Sequence, residues 1–380
     1  MEQIIAERLP PDTFNIVSGK EKLGSIQYQS WQDGGVFIVR GKFPIDPFFI
    51  FLNSVIPGLS AKDLQYFRGP GVQISYVLPV NQRQFLQTLS LFERRSSNIS
   101  IQRETAKVLM QKIGDEGASS PFVARLMLGV MQIRDAVYDD KTRLYFDKLY
   151  GPVLSGLQNA RETGQDIAKE WEQHRAKVES GAIVRASGRM VHVSESIDRS
   201  QKRDLESFLS TAVRTIKNSL QILASELGVN ISFLFQREST FQTGITTTRA
   251  FDPILADYLL ATRQWSEPLV FMRNELEHGT IPVPKVSYML DSSPVRADEP
   301  RFNGRPITEF TNEVLDRICC FVEDITVYCL RKKLPRGFEV TELPLADRDL
   351  RAPERFHITV TPGGRQAWVL SAHTRSFTET

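Results

Sequence analysis

The stretch Ser266-Glu267-Pro268-Leu269-Val270-Phe271-Met272-Arg273-Asn274-Glu275-Leu276-Glu277-His278-Gly279 decides how the second half of the chain reads. A serine cap, a first-turn glutamate and an early proline are start signals of a helix. Gly279, with Pro282 and Pro284 just beyond it, is a stop signal. The pattern predicts a helix over about 267–278, separated by a break at Ser266-Glu267-Pro268 from an earlier helix that begins near Phe251. Arg273, Asn274 and His278 then fall in the last turn and a half of the second helix.

Amphipathic patterns flank this stretch. Leu205, Leu209, Val213, Ile216, Leu220 and Leu223 recur at helical spacing from Asp198 to Leu227, where Gly228 follows. A loop-rich segment is expected at 239–248. Ile307 to Leu330 carries Phe310, Val314, Ile318, Phe321 and Val322 on one side and predicts another long helix. Four helical segments between about 198 and 334 make a bundle. The three cysteines, Cys319, Cys320 and Cys329, lie inside the last pattern without metal-ligand spacing and read as reduced core residues.

Upstream, Gly24–Ser30 and Gly35–Arg40 alternate around a tight Asp33-Gly34 turn and predict a hairpin. A third strand is expected at 71–78, with a short helix at 44–53. From Asn81 the pattern becomes helical: Phe85, Leu86, Leu89 and Phe92, then Arg103–Ile113, Pro121–Val137, Lys141–Leu157 and a polar helix over 161–179 that carries a solvated His174. Ile183–Arg185 and Met190–Val193 predict a small hairpin whose basic turn is solvated. At the tail, Phe356–Thr361 and Gln366–Ser371 flank Pro362-Gly363-Gly364-Arg365 and suggest one more hairpin.

The fold class expected is therefore mainly α with α+β additions. It divides into a mixed α/β region at 1–80, a helical region at 81–197 with its hairpin near 183–193, a helical bundle at 198–334 and a tail with a β hairpin at 335–380. With 380 residues and 41% hydrophobic content the chain can bury sizeable cores. Its 47 basic and 45 acidic residues leave a formal charge of +2, so any basic surface is local. The longest apolar run, Pro47–Ile56, is about half the ~20 residues a membrane span needs, and the N-terminus lacks a signal-peptide pattern. The expectation is a cytoplasmic protein with no membrane partner. Phosphate-loop, nucleophile-elbow and dinucleotide glycine patterns are missing, which argues against a nucleotide-driven motor or a serine hydrolase.

The chemistry concentrates in Arg273, Asn274 and His278. Residues four apart share a helix face, so Asn274 and His278 are neighbours, and the long stem of Arg273 reaches the same edge. Imidazole is the side chain suited to moving protons near neutrality. A guanidinium fork suits the two non-bridging oxygens of a phosphodiester, whose charge grows as phosphorus becomes five-coordinate. Asn274 can donate and accept, and so can orient either partner. Glu267, Asp257 and Glu277 are candidate supporting carboxylates for the arginine or the imidazole. The same residues admit a purely structural reading, in which Arg273 pairs with Glu277 and His278 caps helix carbonyls.

Arg273-Asn274-x3-His278 at a helix end resembles the Arg-x4-His motif of the HEPN superfamily of ribonucleases, over about residues 198–334. The resemblance implies an all-α HEPN-like helical bundle and metal-independent cleavage of RNA without a cofactor. The 2′-hydroxyl attacks and a cyclic phosphate remains. It also implies a homodimer with two motifs in one cleft, and a toxin or antiviral-defence effector restrained by an antitoxin or sensor partner. Its alternative is a non-catalytic HEPN-like module that binds nucleotide, RNA or a protein partner through the same cleft.

Overall fold

The computed structural model describes residues 12–31, 34–41, 45–56, 65–68, 74–78, 80–104, 116–187, 190–279, 285–289, 295–360 and 377. The chain is mainly α with antiparallel sheets, as expected. Its described residues fall into two compact units, one up to Tyr145 and from Leu330 onward, the other Phe146–Cys329 together with Phe377.

The first unit is built on a sheet of β1 (Asp12–Ser18), β2 (Glu21–Trp31), β3 (Gly34–Gly41), β4 (Gln65–Arg68), β5 (Ile74–Leu78) and β6 (Ser100–Glu104), in the order β4-β5-β3-β2-β1-β6. Every neighbouring pair is antiparallel. Phe14 and Ile16 alternate on β1, and Ile26 and Tyr28 on β2, so one face is apolar. The helices α1 (Ile45–Val55) and α2 (Gln82–Arg95) supply Phe48, Leu52, Phe85, Leu89 and Phe92 to the same core. Tyr28 stacks on Phe85 at 4.8 Å and donates from its hydroxyl to the Val80 carbonyl at 3.0 Å. Its desolvation pushes the phenol up to about 12.

The hairpin, third strand and short helix expected here are present, but a boundary near residue 80 is not where this unit ends. Phe85, Leu89 and Phe92 of α2 are core residues of the sheet, and β6 pairs with β1. Arg103 and Glu104, expected to open a helix, end that strand; the rest of that expected helix, 105–113, lies outside the described residues. The unit continues through a π-helical segment Phe122–Gly129 into α3 (Val130–Val137) and the first residues of α4 (Asp140–Glu179). The two helices expected at 141–157 and 161–179 are thus one.

The second unit holds the remainder of α4, the hairpin of β7 (Val184–Ser187) and β8 (Met190–Val193), and α5 (Asp198–Arg214), which continues through a π-helical turn into α6 (Leu220–Glu226). Next come a 3-10 turn at Ser232–Phe235, α7 (Glu238–Phe251) and α8 (Pro253–Glu277). Two strand pairs follow, β9 (Ser287–Met289) with β10 (Arg296–Asp298) and β11 (Arg301–Phe302) with β12 (Arg305–Pro306), and then α9 (Ile307–Arg331). The segment expected to be a loop at 239–248 is α7. Phe241, Ile245 and Thr248 recur at i, i+4 and i+7 and are buried, while the hydroxyls of Thr243, Thr246, Thr247 and Thr248 donate to carbonyls four residues back. Gly244 lets Phe233 lie against this helix, since a Cβ there would sit 2.2 Å from the ring.

His174 also differs from expectation. It is only 2% exposed, and its Nε2 lies 3.0 Å from the Tyr288 hydroxyl. The reason is that Trp171, His174 and Val178 share one face of α4, which packs with Ile183 and Val286. Burial, the largest influence on it, lowers the affinity of its imidazole for a proton, against the opposing carboxylates of Asp198 and Glu195.

In the first unit, β13 (Phe338–Glu342) pairs with β14 (Phe356–Val360). The described partner of Phe356–Val360 is therefore an upstream strand, and the expected partner 366–371 lies outside the described residues. Beside this pair, Glu354 accepts a hydrogen bond from the Gln132 amide at 2.8 Å, and burial raises its carboxyl from 4.5 to about 7. The folded chain then holds this proton more tightly than the unfolded chain. Its contribution is complete below about pH 4.5 and is lost as pH rises through about 7. At about 1.4 kcal/mol per unit, the window is worth at most about 3.5 kcal/mol. Urea unfolding of Glu354→Gln should show a flatter stability–pH curve over that window and a variant more stable than wild type at pH 8; parallel curves would contradict this.

Candidate active edge at the end of α8

Pro268 does not separate two helices; α8 runs unbroken from Pro253 to Glu277. The buried residues Leu255, Leu259, Thr262, Ser266, Leu269 and Leu276 form one stripe, and Pro268 lies off it on the exposed side. An interior proline costs about 3 kcal/mol, whereas each buried leucine contributes roughly 1.5–3 kcal/mol. The stripe outweighs the break. The carbonyl that loses its partner belongs to Gln264, which is itself exposed to water. Start signals are present where the helix does begin: Pro253 is in the first turn, and the Asp252 carboxylate accepts from the Leu255 N–H at 3.0 Å.

The helix is fixed laterally from both sides. Tyr258 donates to Asp324 of α9 at 2.9 Å and stacks on Phe321. Arg263 donates to the Leu234 carbonyl, pairs with Glu267 and lies over the Phe241 ring at 4.9 Å. At the other end His278 is the cap, its N–H donating to the Asn274 carbonyl at 3.0 Å, and Gly279 takes a left-handed φ of 71°. That glycine lets the chain leave the helix directly after the motif.

Arg273 is half-buried, Asn274 and His278 are exposed. The Arg273 guanidinium donates through Nη1 to Asn274 Oδ1 at 3.0 Å and through Nη2 to Glu277 at 2.9 Å, while its Nε is buried and makes no hydrogen bond among the described residues. The arginine head therefore lies along the edge that carries Asn274, one turn before His278. The imidazole makes no hydrogen bond among the described residues. Asn274 orients the arginine.

Of the three supporting carboxylates, only Glu277 meets Arg273. Glu267 is held by Arg263, and Asp257 pairs with Arg249 at 2.5 Å. In one continuous helix Asp257 is 16 residues, or about 24 Å, from Arg273. A residue outside the expected set joins the edge. Phe271, Asn274 and His278 are spaced i, i+3 and i+7, so they share a face, and Phe271 is 60% exposed. That spacing is readable in the sequence, but an apolar residue in a helix is ordinarily assigned to the core.

Among the described residues no group of three or more His, Cys, Asp or Glu is placed to hold a metal ion, and no helix is long and apolar enough to cross a membrane. No family model, curated protein or solved structure matches the chain.

An exposed i, i+4 pair contributes only about 0–1 kcal/mol, so Glu277 is a displaceable partner for Arg273. Urea unfolding of Glu277→Gln should give a stability within about 1 kcal/mol of wild type. A much larger loss would mean that the pair holds the end of the helix together and that the guanidinium is not available to a ligand.

Proposed function

We propose that the protein is a cytoplasmic, metal-independent endoribonuclease of HEPN type, with α5 to α9 as its HEPN-like bundle. The observation that carries this reading is the end of α8, where Asn274 steadies the Arg273 guanidinium one turn before His278, an exposed residue whose imidazole makes no hydrogen bond among the described residues. A phosphodiester approaching this edge displaces Glu277 and takes up the Nη donors of Arg273, which strengthen their hold as charge builds on the phosphoryl oxygens. The ribose O2′ bonds to phosphorus, its proton passing to a base, and the P–O5′ bond breaks as an acid protonates the departing oxygen. The cyclic phosphate is the product. His278 fills one of these two proton-transfer roles. One motif brings one imidazole, so the second role falls to the motif of a second copy in a homodimer. Phe271 offers a face on which a neighbouring base can stack, a contact worth about 1–3 kcal/mol in single-strand binding. Such an enzyme fits a toxin or an antiviral-defence effector held in check by an antitoxin or sensor partner.

The Arg273–Glu277 pair favours a second reading, a non-catalytic module that uses this edge to bind nucleotide, RNA or a protein partner. The His278→Ala variant separates the two. Because the imidazole is exposed and makes no hydrogen bond among the described residues, its loss should leave the melting temperature unchanged, while cleavage of total RNA falls by at least the ~10²-fold typical of a lost acid–base group. Undiminished cleavage by the folded variant would remove His278 from the chemistry.

A further inference from the structure

Between α8, α9 and the β11–β12 hairpin lies an open cavity of about 190 Å³. Its apolar wall is formed by Trp265, Leu269 and Met272 of α8 with Phe310 and Val314 of α9. Its rim is cationic. Arg305 of the hairpin and Arg317 of α9 both pair with Glu313, the latter at 2.6 Å. Two guanidiniums on one carboxylate leave one positive charge uncompensated within the trio. Asp316 also bears on Arg317, and its carboxylate accepts the Phe377 N–H at 2.5 Å. Partial burial first, and the Arg305 cation second, hold the Arg317 guanidinium below its ordinary basicity. A bound anion would offset the repulsion between the two guanidiniums. Asn303 also lines the cavity, on the Asn303-Gly304 turn whose residues have φ of 50° and 79°.

We propose that this cavity is a binding site for a compact organic anion, a single ring bearing one carboxylate or phosphate, with the ring against Trp265, Met272 and Phe310 and the anion on Arg305 and Arg317. Size sets the body of the ligand: the cavity is smaller than the roughly 300–1,000 Å³ that drug-sized ligands occupy. Charge sets its head, because a guanidinium fork accepts the paired oxygens of carboxylate or phosphate. The site is independent of the nuclease reading, since none of its residues belongs to the Arg273–Asn274–His278 edge.

The test is titration of the full chain with benzoate and with phenyl phosphate, followed by calorimetry and by the Trp265 indole resonance, assigned with Trp265→Phe. Saturable binding of at least one is expected, and which of the two binds more tightly identifies the head group. Inorganic phosphate and uncharged phenol should each bind at least about tenfold more weakly. Arg317→Gln and Arg305→Gln should each weaken binding by about tenfold or more. Should Arg317→Gln fail to fold, Arg305→Gln decides, because that side chain is on an exposed hairpin. Lack of saturable binding, equal binding of inorganic phosphate or of phenol, or affinity that survives loss of the guanidinium would each overturn the proposal.

Discussion

The buried stripe of α8 is the constraint on which the site depends. Leu255, Leu259, Leu269 and Leu276 occupy one line along the helix, and their burial carries it through Pro268 without a break. Had the helix ended there, the last turn would be a short helix of its own, free to set its direction independently. Instead the turn that carries Arg273 and Asn274 is rigidly continuous with the one that holds Tyr258 against Asp324 and Arg263 against Leu234. A side chain at the end of such an element keeps its direction, which is what proton transfer and phosphate binding require.

From that placement follows a division of labour around one helix. The stripe faces the core. Met272, Trp265 and Leu269 face a small cavity, and Phe271, Asn274 and His278 face water. Arg273 bridges these zones, its stem half-buried and its head along the exposed edge. Glu277 and Asn274 occupy two of the guanidinium's donors. A surface pair of this kind yields readily to a phosphate, which brings more charge and better geometry than one glutamate.

Much of this was legible in the sequence, for definable reasons. The long patterns at 198–227 and 307–330 became helices because their period of three and four is unbroken over several turns. The motif, its helix and the glycine that ends it were also readable. The misreadings share a cause: a local signal was overridden by burial. Ser266-Glu267-Pro268 has the chemistry of a helix start, yet Ser266 and Leu269 are buried on a stripe that began much earlier. The threonines of α7 suggest a loop, yet they satisfy themselves on carbonyls of their own helix while Phe241 and Ile245 anchor it. His174 sits in a polar sequence, yet its face of α4 is the one that is covered. Pairing across distance, as of β6 with β1 and of β13 with β14, has no local signature, and the partners of Glu267 and Asp257 depend on helix continuity that the proline disguised.

The central claim is that the end of α8 supplies proton transfer and phosphate binding for cleavage by a ribose hydroxyl. The most direct measurement is the chemistry of the ends left on RNA incubated with the purified protein in EDTA. The account predicts fragments that carry 2′,3′-cyclic phosphate and 5′-hydroxyl termini. RNA left intact, or cut to 3′-hydroxyl and 5′-phosphate termini, would contradict it.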